Sequence, residues 1–396
     1  MPDEFSWLTD ELQRLEGDGL FRPRRCVTPL PGGWCRLDGQ RLLNCASNDY
    51  LGLASDPRVI AAAKEALDEF GVGSRASALV TGRGDWHVRL EQRLARFEGR
   101  DAAVLFPTGY AANLGTITAL VGKEDILFCD RLNHASLIDG CRLSGAKLRV
   151  YPHRDVETLE RELKKSAGFR RRMIVTDSLF SMDADYAPLP ELCNLAERYE
   201  AAVIVDEAHA TGLFGRRGRG IAEWLEVEDC VAVRMGTLSK AVGCLGGFVA
   251  GSEALIGWLW NKARPQIFST ALPPSVCAAA IVAVGIIESE PQRRERLITV
   301  SEQFRNRLRE QLGPSVVPEG VGPIIPVLLN DPRAAVDAAQ RLRGRGFLVA
   351  AIRPPTVPPG TSRLRITLSA AHDTSEVARL ADELLDVLKN DPETVP

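Results

Sequence analysis

A chain of 396 residues, 45% apolar and 26% charged, can bury a large core and has the polarity of a globular protein, divided by its length into two or three lobes. Its formal net charge of −3 offers no basic surplus for a phosphate backbone or an anionic membrane surface, so neither nucleic acid nor membrane is expected as a partner. The nine cysteines are scattered, with no CxxC pair and no histidine at ligand spacing, which argues against a metal site and a disulfide framework.

The opening "MPDEFSWLTDELQRLEG" lacks the basic and apolar regions of a secretory signal and reads as an acidic amphipathic helix, so a cytoplasmic protein is expected. A hairpin follows in "GGWCRLDGQRLLNCAS", and residues 1–49 are expected to pack with a C-terminal lobe. From residue 57 onward, helical patterns alternate with short β-rich runs: "AAVLF", "DILFCD", "KLRVY", "MIVTD", "AVIVDEAH", "VAVRM" and "GGFVAG". That alternation predicts an α/β domain over residues 50–290, a mainly parallel sheet between helices, in which the last two runs need not be parallel. The stretch "PPSVCAAAIVAVGII" is too short for a membrane span and reads as a buried core helix. Beyond a hinge, residues 291–396 read as a smaller α+β domain.

Several strand ends carry chemistry. "GVGSRA" at 71–76 matches the G-x-G-x-x-A dinucleotide pattern, but it follows a helix rather than a strand and is rejected as such. Asp206 ends the run "AVIVD", where an open parallel sheet presents its ligand crevice; alone it could equally cap a helix or form a core ion pair. A lone lysine is usually a solvated surface residue, yet Lys240 in "GTLSKAVGCLGGF" ends another crevice strand and precedes a glycine cluster. A carboxylate and an amine facing one cavity suit pyridoxal phosphate (PLP), which needs a lysine for its aldehyde and an acid for its pyridine nitrogen. Thr237 and Ser239 would then face the phosphate or ring, while Gly243, Gly246 and Gly247 keep the backbone close. In "FPTGYAAN", Gly109 and Tyr110 open a helix able to hold a phosphate. His134, which could simply be a cap, is placed to stack on the ring, and Ser181 to reach the ring oxygen.

These segments, with "SNDYLGLASDP", "FSTALPP" and "AIRPPTVPPGTSRLRITLSAAH", are similar to the α-oxoamine synthase family of fold-type I PLP enzymes over roughly residues 22–380. The resemblance implies the family's fold, a large domain with a seven-stranded sheet and a smaller C-terminal domain. It makes Lys240 the PLP-bearing lysine, Asp206 the partner of the pyridine nitrogen and His134 the stacking histidine. It adds Ser181, His209 and Thr237 as cofactor ligands, with Gly109 and Tyr110 as the phosphate turn. Asn48 and Arg365 would take an amino-acid carboxylate, and Arg22 and Thr356 would line the acyl-thioester side. Strand alternation puts Arg363 on the same face as Arg365, so one of the two is the clamp. Thr270, or Ser269 beside it, would reach the PLP phosphate of a second subunit, which implies a homodimer with shared active sites. The implied reaction is a decarboxylative condensation of L-alanine with a pimeloyl thioester; glycine or serine donors mark the alternative branches. A catalytically silent subunit of the same fold would lack the lysine that this chain has.

Overall fold

The β-rich runs between residues 102 and 251 assemble into one seven-stranded sheet. In the computed structural model, which describes residues 4–389, its spatial order is Ala102–Phe106, Gly247–Gly251, Val231–Thr237, Ala202–Asp206, Arg172–Asp177, Ile126–Asp130 and Lys147–Tyr151. Gly247–Gly251 runs antiparallel to both neighbours, and the other contacts are parallel. The reason lies in the connections: a short loop returns the chain from Thr237 to Gly247, whereas parallel neighbours need a longer crossover. The expected mainly parallel seven-stranded architecture is therefore present, with a single reversed strand.

Strands Ile126–Asp130, Ala202–Asp206 and Gly247–Gly251 are buried along almost their whole length, as strands covered on both faces must be. Val104, Ile117, Leu127, Leu137, Ile204 and Met235 share one core, each such side chain contributing about 1.5–3 kcal/mol on burial. After Ile126–Asp130 the chain adds Lys147–Tyr151 on one side and then Arg172–Asp177 on the other. Strand order reverses there, the position at which open α/β sheets place a ligand crevice beyond the strand C-termini.

This sheet and its helices form a compact unit of residues 51–181 and 185–295. Helix Pro57–Phe70 starts where Asp56 accepts from the Arg58 amide and Pro57 fixes the first turn; it stops at Gly71, whose φ of 80° continues no helix. Pro274–Ser289 is the apolar helix anticipated in the core, with eight buried positions from Cys277 to Ile287. Among the described residues, no single helix is long and apolar enough to cross a membrane.

The cysteine pattern misled in one respect. Cys193, in helix Leu189–Arg198, is disulfide-bonded to Cys230, with Cα atoms 5.8 Å apart. Strands Ala202–Asp206 and Val231–Thr237 are parallel neighbours, so the segments that lead into them meet at the same sheet edge although 37 residues separate the two sulfurs in sequence. Linear spacing carries no trace of that proximity.

The second unit comprises the described residues up to 50, residues 182–184 and the chain from 296. The meander Val27–Pro29, Trp34–Leu37 and Gln40–Asn44 is joined in parallel by Phe347–Leu348, so both ends of the chain share one sheet. A second sheet places Ser362–Thr367 between Ile324–Asn330 and Ala350–Ile352, all antiparallel.

Candidate active site

Asp206 ends a central strand and is only 6% exposed. A buried carboxylate persists only with donors around it. Here Oδ1 accepts from the Ala208 amide at 2.8 Å and Oδ2 from Asn113 Nδ2 at 2.6 Å. The neighbouring strand ends at Asp177, directly opposite Asp206 in the ladder. Asp177 accepts from the His134 amide at 2.6 Å, while its own amide donates to Asn133 Oδ1 at 3.0 Å. Burial first, and then the charge of Asp206, hold the Asp177 carboxyl well above the usual range, opposed by the His134 amide and the charge of Lys240. The pair thus resists carrying two negative charges.

His134 caps helix Ala135–Leu143: its Nδ1 accepts from the Ser136 amide at 3.3 Å and lies 2.7 Å from Ser136 Oγ. Burial lowers its pKa; the Asp206 carboxylate opposes that shift and the Lys240 charge adds to it. His134, Asp206 and Lys240 therefore sense one another electrostatically.

The loop bearing Lys240 is closed by its own backbone. Leu238 N donates to Gly246 O at 2.9 Å, Cys244 N to Leu238 O at 2.7 Å, and Gly243 N to Lys240 O at 2.9 Å. Thr237 Oγ1 donates to Gly246 O at 2.8 Å. Gly243 has φ of 72°, and a Cβ there would lie 2.3 Å from the Ala54 amide nitrogen; this close approach is what the glycine permits. A Cβ on Gly247 would lie 2.4 Å from Thr108 O, and one on Gly109 3.2 Å from the Thr237 side chain. The Thr108–Gly109 turn is thus nested against the root of the lysine loop.

From that turn springs helix Gly109–Leu120, whose cap Thr108 accepts from the Ala111 amide at 3.0 Å. The Gly109 and Tyr110 amides precede the first intrahelical bond, and N–H groups at such a helix start can bind an anion. The Tyr110 ring is exposed and its hydroxyl donates to Asp139, so the residue's contribution to the cradle is its backbone N–H.

Ser181 lies half-buried beyond strand Arg172–Asp177, in a segment shaped by the Leu179–Tyr186 bridge. His209 is buried three residues past Asp206. Thr270 is set apart from these: it is exposed and pairs as an isolated bridge with Ser77.

The second unit carries its own cluster. Arg365 is buried and donates to Asn48 Oδ1 at 3.3 Å from both terminal nitrogens, to Thr367 Oγ1 at 3.1 Å and to the Tyr50 hydroxyl at 3.5 Å. Arg363 Nη1 forms an ion pair with Asp183 at 2.7 Å. Arg22 Nη2 donates to Pro354 O at 2.9 Å and lines an open cavity of about 470 Å³ with Arg25, Arg343 and Arg353. Thr356 is exposed in the turn that follows, its amide donating to Arg353 O at 3.0 Å.

Sequence reasoning missed Asp177, Asn133, Asn113 and Ser136. Asp177 was within reach, because the strand-end argument used for Asp206 applies equally to "MIVTD". Asn113 lies within "FPTGYAAN", but nothing local announces a partner at Asp206.

A lysine loop, a glycine-nested helix start and a buried strand-end carboxylate at one end of the sheet are the equipment of a PLP enzyme. The Aminotransferase class I and II family model matches residues 40–384, and the chain belongs to that family. It is 49% identical over 390 residues to the 8-amino-7-oxononanoate synthase of Anaeromyxobacter dehalogenans (strain 2CP-1), covering 98% of this chain and 97% of that one. The solved serine palmitoyltransferase of Sphingomonas wittichii is 34% identical, with a TM-score of 0.92 over 100% of this chain and 99% of its own. A further serine palmitoyltransferase structure, solved with PLP, has a TM-score of 0.92 at 32% identity over 98% of both chains.

Proposed function

We propose that the protein is a PLP-dependent 8-amino-7-oxononanoate synthase, which joins L-alanine to a pimeloyl thioester and releases CO2 and the free thiol. The observation that carries the reading is the nesting of the Gly109 turn against Thr237 and Gly247, which sets an anion cradle beside the loop of Lys240.

The donor set fits PLP. Gly109 and Tyr110 would hold its phosphate through backbone N–H groups, with Thr237 beside them. Lys240 would bond to its aldehyde, Asp206 would hold the proton on its ring nitrogen, and His134 would cover the ring. Ser181 and His209 would take the ring oxygen side. Bound PLP supplies the electron sink that makes a carbanion at the amino-acid Cα accessible.

The remaining work falls to the chain's own groups. Lys240 removes the Cα proton and later returns it to the product. Asp206, held in place by donors from Ala208 and Asn113, would hold the proton on the ring nitrogen. Arg365 and Asn48 would take the carboxylate that is lost as CO2, with Arg363, paired with Asp183, as the alternative clamp. Arg22 and Thr356 would line the acyl side.

The assembly we propose is a homodimer in the cytoplasm, with Thr270 offered to the partner's cofactor phosphate. Its support is an apolar face on two paired segments: Val72 is 81% exposed, Val80 73% and Phe268 70%, on either side of the Ser77–Thr270 bridge.

A donor-by-acceptor matrix tests the reaction: alanine, glycine and serine against acetyl, succinyl, pimeloyl and palmitoyl thioesters, scored by CO2 and thiol release. Alanine with pimeloyl thioester is expected to lead. Higher turnover of glycine with a short acyl group would move the protein to another branch of the family.

A further inference from the structure

Two buried side chains join Asp206 to His134. Asn113, 2% exposed and in the second turn of helix Gly109–Leu120, donates from Nδ2 to Asp206 Oδ2 at 2.6 Å and to Ser136 Oγ at 2.8 Å. A carboxylate only accepts, so the amide must turn its nitrogen, not its oxygen, toward Asp206. Ser136 is fully buried and accepts from Asn113, which leaves its hydroxyl hydrogen for His134 Nδ1, 2.7 Å away. The backbone N–H of Ser136 can only donate, and it points at the same Nδ1 at 3.3 Å. With two donors directed at it, Nδ1 must present a lone pair, and the proton of the neutral ring sits on Nε2.

We infer that Asn113 and Ser136 are positioning residues that lock His134 in the neutral, Nε2-protonated tautomer and tie its orientation to Asp206. The charged and titratable groups that act on the ring are Asp206, Lys240 and Asp139, with Asp177 bound to the His134 amide. The consequence for catalysis rests on the proposed function. An imidazolium stacked on a protonated pyridine would set two cations face to face, whereas a neutral ring leaves the Asp206 pairing intact and presents an N–H donor at Nε2.

The test is nitrogen NMR of the full-length protein labelled with ¹⁵N-histidine, with PLP bound and after its removal, using His134→Gln to assign the signal. In both states His134 should show a protonated Nε2 and a bare Nδ1. Ser136→Ala removes one donor and should shift the signal toward a tautomer mixture, raise the ring's titration midpoint, and raise KM for the amino acid several-fold with a smaller change in kcat. Ser136→Thr, which keeps the hydroxyl, should restore all three. A protonated Nδ1 in the wild type, or Ser136→Ala spectra indistinguishable from it, overturns the inference. Should Ser136→Ala not fold, the wild-type tautomer and the Thr variant decide. The NMR readout needs no substrate, so failure of the condensation assay and failure of the tautomer lock are separate results.

Discussion

In the proposed reaction Asp206 holds the ring proton and Lys240 moves the Cα proton. Borohydride treatment of the holoprotein should therefore leave the pyridoxyl mass on the peptide containing Lys240; finding it on Lys262 would remove Lys240 from its role. Asp206→Asn keeps the shape and the Ala208 contact but cannot hold a ring proton. It should retain PLP and lose about 10²–10³ in kcat, the scale on which a preorganised electrostatic contact acts. Near-normal turnover in that variant would contradict the assignment. At this scale the sequence was most legible at Asp206, which ends its strand as the pattern predicts, whereas Lys240 lies in the loop beyond Val231–Thr237 rather than at the strand end. It was least legible where meaning depends on a remote partner: Asn113 meets Asp206 only after the sheet has formed, and Arg363 meets Asp183 from 180 residues away.

Among the elements, the lysine loop and the segment after Arg172–Asp177 invite separate tests. Gly243→Ala would force a Cβ against the Ala54 backbone at a φ of 72°, which a flexible side chain cannot relieve. We expect a loss of about 1–3 kcal/mol in stability, seen as a lower Tm, with weaker PLP retention. His153 governs the second element. Its Nδ1 lies 3.0 Å from Asp130 and its Nε2 2.8 Å from Asp185, with its ring edge-on to Phe180. Burial disfavours the charged ring, but hydrogen bonds to Asp130 and Asp185 prevail and raise its pKa to about 9. The folded value exceeds the unfolded one near 6.5. The stabilisation is therefore complete below about pH 6.5 and disappears as pH rises through 9. Melting of the wild type should decline across that window, and His153→Gln should flatten the decline; parallel profiles would remove the ion pair from the account. The alternation of helix and strand made the sheet readable in advance, since period and composition are local. The reversal of Gly247–Gly251 was left open, and only the brevity of the preceding loop decides it.

For the molecule as a whole, the exposed face of Val72, Val80 and Phe268 sets the expectation of a dimer. Phe268→Glu places a charge in that face and should shift sedimentation toward the monomer, with activity falling in step if Thr270 serves the other subunit. A fully active monomer would separate assembly from catalysis.

The reversed strand also has a temporal side. Ala102–Phe106 stands at the sheet edge, and among the described residues its sheet neighbour is Gly247–Gly251 alone, with Phe106 opposite Gly247. As the chain leaves the ribosome, the Gly109 turn at the end of that first strand must wait for more than a hundred further residues before the lysine loop arrives to meet it. In the proposed site the two halves of the phosphate cradle come together in that one closing event, so chains that stop short of residue 247 would lack both a finished sheet and a place to capture the cofactor.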